Sequence, residues 1–245
     1  MTAPKVTVRR DDALPKMGWY AVVDRQKNTV DIEVGRFVEV DPAKNPKWVV
    51  AGFWDGEFKK GAFHQSEHMF GSGLRVDGDD VVMVPAHSTV DRCVYARDGH
   101  VWHLSNSLVL LLGRLGARLD PERDHRQWGE SMALGVNNYI RQFSVVHPRL
   151  SQAYQLIWEA LHIGADGQAS YRFHDQPHRF TDFADYHAQF TGALERLWAN
   201  ATDKARAKPM RAVSSASRGY DSGTVLACMT NIVGEGLLSW TAEKS

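Results

Sequence analysis

The sequence predicts an α+β protein: a layered, strand-rich domain first, then a helical connection, then a β-α-β unit at the end. Three patterns carry this prediction. Residues 18–104 repeat short strand-like stretches, among them Val30, Ile32 and Val34 alternating with Asp31 and Glu33. Phe183, Tyr186, Phe190, Leu194 and Leu197 recur at intervals of three and four, the spacing of one helix face. Residues 211–240 pass from a strand-like stretch through a small polar loop to an apolar helical stretch and a second strand.

In chain order, strands are expected at 30–34, 48–54 and 81–84. Asp98-Gly99 between residues 93–96 and 101–104 supplies the positive φ angles of a tight hairpin turn. Such antiparallel strands pack as a sandwich or as a layered sheet with helices against it. Ser105-Asn106-Ser107 offers side-chain caps for a helix over 108–115, which Gly116 ends. Further helices are expected at 127–143 and 150–162, and the aromatic stripe of 183–197 is expected to face the core. Ala165-Asp166-Gly167 interrupts the helical pattern before a short extended segment at 170–173. The expected division is a β-rich domain over 1–120, a helical connecting region over 121–205, and an α/β unit over 206–245.

Composition narrows the function classes. The 245 residues are 43% hydrophobic and 24% charged, which excludes disordered and collagen-like chains. With 29 basic and 29 acidic side chains there is no positive excess for a nucleic-acid partner, and none is expected. The apolar run at 108–112 is far short of a bilayer span of roughly 20 residues, so no membrane partner is expected. Cys93 and Cys228 form neither a disulfide framework nor a thiolate metal motif, and a cytoplasmic location is the expectation.

The chemistry-bearing segment is Ser217-Arg218-Gly219-Tyr220-Asp221-Ser222, between a strand end and a helix start. Unpaired amides and the partial positive charge of a helix N-terminus suit a phosphate or pyrophosphate there. Ser217 and Ser222 add hydroxyls, and Asp221 is a hard oxygen ligand of the type that holds magnesium. The bland reading is a loop that caps a helix. A second motif, His64-Gln65-Ser66-Glu67-His68, fits the H-x-x-E-H zinc pattern, in which imidazoles four apart on a helix share one face. Flanking glycines at 61, 71 and 73 favour an exposed polar loop instead. His174-Asp175-Gln176-Pro177-His178 reads as a solvated turn, the cluster Lys204, Arg206, Lys208 and Arg211 as a solvated face, and the tryptophans as core, with Trp158 and Trp198 on helical faces.

Residues 217–222 resemble the pyrophosphate loop, Ser-Gly-Gly-x-Asp-Ser, of the asparagine synthetase family of ATP-dependent, AMP-forming amide ligases. Asp91-Arg92-Cys93-Val94-Tyr95 and Gly99-His100-Val101-Trp102-His103-Leu104-Ser105-Asn106-Ser107-Leu108 are similar to the stretch where the family's first domain ends a hairpin and enters a helix, and Ala117-Arg118-Leu119-Asp120 resembles its ending. The resemblance extends from about residue 18 onward and is specific at 91–120 and 211–224. It implies a first domain like the N-terminal-nucleophile hydrolases and a second of the adenine-nucleotide-hydrolase type. It also implies ATP and magnesium as the ligands, with Ser217, Arg218, Gly219, Asp221 and Ser222 around the pyrophosphate and Asp221 at the metal. The substrates would be a carboxylate and an amine.

The sequence departs from the family pattern in three ways. Members that hydrolyse glutamine expose a cysteine once Met1 is removed, whereas position 2 here is Thr2. The resemblance therefore implies a domain without that nucleophile, as in β-lactam synthetases and lasso-peptide cyclases. Arg218 stands where the family has its first loop glycine. The family's synthetase domain is also longer, so these residues are expected to be the amino-terminal part of a ligase that is inactive alone. Two rivals remain: a non-catalytic scaffold or partner-binding protein, self-association included, and a hydrolase using Thr2 or the His64-Glu67-His68 set.

Overall fold

The computed structural model describes residues 2–89, 91–173, 179–217 and 219–241. In chain order the strands and helices are β1 (Lys5–Arg10), β2 (Trp19–Asp24), β3 (Thr29–Val34), β4 (Glu39–Val40), β5 (Trp48–Trp54), β6 (Met69–Asp77), β7 (Asp80–Val84), β8 (Cys93–Asp98), β9 (Val101–Ser105) and α1 (Leu108–Leu115). There follow β10 (Arg118–Leu119), α2 (Arg126–Glu130), β11 (Gln142–Val146), β12 (Gln152–Leu156), β13 (Glu159–Ile163), β14 (Ala169–Phe173), α3 (Phe183–Ala201), β15 (Val213–Ser215), α4 (Tyr220–Val233) and β16 (Leu238–Trp240).

Among the described residues one sheet runs β1-β3-β2-β9-β8-β12-β11-β10 and a second runs β14-β13-β7-β6-β5-β4. Strand β1 joins β3 in parallel, while every other pairing in the two large sheets is antiparallel. The sheets share one apolar interior. Trp19, Ala21, Val30, Ile32 and Leu104 of the first meet Val49, Leu74, Met83, Leu161 and Ile163 of the second. The buried Trp19 indole donates to Ser72 Oγ across the sheets at 3.0 Å, and Ser105 Oγ donates to the Trp19 carbonyl at 2.7 Å. That satisfies the polar groups such packing would otherwise strand.

Each sheet also buries its outer face. Helix α1, capped by Ser107 Oγ accepting from the Leu110 amide and ended by Gly116 in the left-handed region, lays Leu111 on Tyr20, Val94 and Ala96. Trp128 of α2 packs there with Phe143. On the second sheet, short 3-10 turns at Phe58–Lys60 and Phe63–Gln65 cover Trp48, Trp54, Met69 and Val84. The Asp98-Gly99 hairpin forms as the sequence predicts, with Gly99 at φ 61°.

The helices expected at 127–143 and 150–162 are not formed, and this corrects the helical connecting region of 121–205. Over 127–143 only α2 and one 3-10 turn form before Gly135, at φ 84°, breaks the chain direction. Over 150–162 the chain makes β12 and β13, which complete one sheet each. Both strands are buried on two faces: Ala153 faces the outer core of the first sheet, Ala160 that of the second, and Leu156 and Leu161 the shared interior. Apolar residues on both faces erase the alternation that marks a strand. Trp158 sits in the tight turn between them, at φ 68°, and not on a helix.

Helix α3 corrects the expected core-facing stripe in part. Asp182 caps it, and only its last turns, with Ala193, Leu197 and Ala201, are buried. Phe183 and Tyr186 are exposed and stack locally with Phe180, His187 and Phe190. Its end is bound to the second sheet by Arg206, which is buried and not part of a solvated face. Its guanidinium donates to the Asn200 carbonyl and side chain and to the Gly52 carbonyl, and it lies over the Phe58 ring. Asn200 in turn donates to the Gly56 carbonyl at 2.6 Å. The strands meet closely at this point: a Cβ on Gly52 would lie 1.9 Å from the Phe70 carbonyl oxygen, and Gly71 opposite has φ 88°. Burial pulls the Arg206 pKa down to about 10, with Glu39 and Asp203 opposing.

Replacing Arg206 with alanine strands several buried carbonyls together. The expected loss in urea denaturation at pH 7 is about 3 kcal/mol. A loss below about 0.5 kcal/mol would contradict this role.

Candidate functional site

The β-α-β unit forms where the sequence places it. Strands β15 and β16 pair in parallel in the register Val213 to Leu238, Ser214 to Ser239 and Ser215 to Trp240, with α4 between them in sequence. The Ala216 amide donates to the Trp240 carbonyl at 2.8 Å, so the chain leaves β15 still tied to its partner. Gly219 is the N-cap of α4.

Ser217 meets Ser222 of α4, their hydroxyl oxygens 2.6 Å apart. Ser222 Oγ accepts from the Ser217 amide and donates to the Gly219 carbonyl, and Ser217 Oγ accepts from the Gly219 amide. Gly219 is in an extended conformation at φ −80°. The Tyr220, Asp221 and Ser222 amides precede the first helical bond of α4 and have no acceptor within the helix. Asp221 is exposed in the first turn. A carboxylate is an oxygen donor of the type that fits a hard cation such as magnesium. Arg218 lies outside the described residues.

The other sequence candidates are scattered. Thr2 is exposed, its carbonyl accepting from the Asn28 side chain at 2.9 Å. Lys204, Lys208 and Arg211 are exposed, as the sequence suggests, whereas Arg206 is the buried clamp. Residues 174–178 lie outside the described residues. The His64–His68 motif is divided. His64 lies in the short 3-10 turn Phe63–Gln65 and points Nε2 at Asp77, 3.2 Å away, while His68 stands with Glu67 at the entrance of β6. A 3-10 turn of three residues cannot put the two imidazoles on one helical face.

The residue that sequence reasoning missed is Asp55. Its carboxylate lies with the Glu67 carboxylate and the His68 imidazole, all offered ligand atoms being within 4.8 Å of one another. The sequence held no signal for it, since the β5–β6 pairing alone brings position 55 against 68.

The chain matches no model of a known protein family and no curated protein. No helix among the described residues is long and apolar enough to cross a membrane.

Burial lowers the pKa of His64, with Arg75 adding to the effect and Asp77 opposing it, and burial likewise lowers those of His103 and His162. The unfolded chain therefore binds protons that the folded chain refuses. Stability from these groups is complete above about pH 6.5 and falls as pH drops below it. The urea midpoint is expected to decrease between pH 7 and pH 5, less steeply in His64→Gln. A midpoint that holds or rises over this interval contradicts the assignment.

Proposed function

We propose that residues 217–222 bind the pyrophosphate moiety of magnesium ATP, as the nucleotide element of an AMP-forming amide ligase resembling the asparagine synthetases. The observation that carries this reading is the position of the loop. It leaves the carboxyl end of β15, in a parallel pair, and feeds the N-terminus of α4, the place where α/β units hold phosphorylated ligands.

In this reading Ser217 and Ser222 redirect their hydroxyls from each other to phosphate oxygens, and the α4 amides supply further donors. Asp221 holds the magnesium ion that offsets the phosphate charge. The substrate carboxylate attacks the α-phosphorus, pyrophosphate departs, and an amine then attacks the acyl carbon and expels AMP. The loop residues place and neutralise charge and form no covalent bond. The first domain is proposed to be of the N-terminal-hydrolase type. With Thr2 in place of a cysteine, the amine is proposed to arrive from elsewhere than glutamine hydrolysis.

Calorimetric titration with pyrophosphate in magnesium buffer tests the loop. Saturable binding is expected, weakened about tenfold or more in Asp221→Ala. Asp221 is exposed, so its removal should cost no more than about 0.5 kcal/mol of stability and the variant should fold. Absence of binding by a chain that circular dichroism shows to be folded would overturn the reading.

A further inference from the structure

A second site lies on the opposite side of α3, independent of the phosphate loop. Asp55 follows β5 directly and Glu67-His68 precede β6, so the antiparallel pairing of these strands fixes the three residues in one place. The Asp55 amide donates to the His68 carbonyl at 3.2 Å. The local backbone is thus set by the sheet and not by a mobile loop.

Their ligand atoms, two carboxylates and an imidazole, lie within 4.8 Å of one another. Ligands about 2.1 Å from a common zinc ion are separated by about 3.4 Å in a tetrahedron, a difference that side-chain rotation closes. A second observation is independent of this spacing. The Asp55 side chain is only 5% exposed, its carboxylate 3.8 Å from the half-exposed Arg196 guanidinium and in electrostatic reach of His87. A buried carboxylate is stabilised further by a cation bound directly to it. Asp55 and Glu67 both line a cavity of about 700 Å³, also bordered by Trp54, Glu57, Ser66 and Arg196.

We propose that Asp55, Glu67 and His68 bind a divalent transition-metal ion, of the zinc type, whose remaining coordination positions face this cavity. Three protein ligands and an open position are the arrangement of reactive rather than purely structural zinc sites. The mixed oxygen and nitrogen donors favour such an ion over magnesium or calcium, which take oxygen alone. His64 is not a ligand, because its imidazole is held beside Asp77.

The full chain, freed of metal by a chelator, is titrated with Zn²⁺ by calorimetry and with Co²⁺ by visible absorption. One equivalent is expected to bind, with cobalt ligand-field bands that His68→Gln removes. Affinity is expected to fall about tenfold or more in Asp55→Asn, His68→Gln and Glu67→Gln, and to stay unchanged in His64→Gln. Glu67 is exposed, so its variant reports on binding even if a change at the buried Asp55 disturbs folding. No stoichiometric binding by the parent chain, or a loss in His64→Gln equal to that in the ligand variants, would overturn the proposal.

Discussion

The packing of two large sheets on one shared apolar interior is the constraint on which the other features rest. Its members come from almost every strand between β2 and β13, and the pair β12 and β13 crosses from one sheet to the other through a single tight turn. Moving either strand by one residue would exchange its faces and place Leu156 or Leu161 outside the interior. The register of both sheets is fixed by this demand. The Trp19 to Ser72 hydrogen bond adds direction to an otherwise non-directional apolar contact.

The position of every candidate site follows from that register. The β5–β6 pairing brings Asp55 to His68, and the close approach of Gly52 and Gly71 leaves the Gly52 carbonyl open to Arg206. Arg206 in turn holds the end of α3, and the chain continues past the Glu39 carboxylate, which accepts from the Ala207 and Lys208 amides. The β-α-β unit hangs from this anchor. Its strands are three residues long, and Val213, Leu238 and Trp240 are more than half exposed. A parallel pair so short has little stability of its own, so its order depends on α3 and α4 and through them on the sandwich.

Much of this was legible in the sequence wherever a local rule governs. The Asp98-Gly99 hairpin, the Ser107 and Gly116 caps of α1, the extended segment at 170–173 and the β15-α4-β16 order all depend on residues close in sequence. The failures have a common physical cause. Residues 150–162 look helical because strands buried on both faces lose their alternation. Phe183 and Tyr186 have core-like spacing but lie beyond the part of α3 that reaches the sheet. Arg206 reads as solvated in the sequence because its acceptors, the carbonyls of Gly52 and Asn200, carry no sequence signature. The contact of Ser217 with Ser222 is local and follows from the motif. The grouping of Asp55 with Glu67 and His68 depends on strand register, which no motif encodes.

The central claim is that a rigid two-sheet frame carries a weakly stabilised loop whose amides receive a phosphate. Hydrogen exchange followed by mass spectrometry, with and without magnesium pyrophosphate, tests it most directly. The account predicts slow exchange in β2, β8, β9 and β12 under both conditions, faster exchange across 213–240, and added protection on ligand addition confined to the first turn of α4 and the loop before it. Unchanged exchange at 217–223, or protection appearing in the sandwich strands instead, would contradict it.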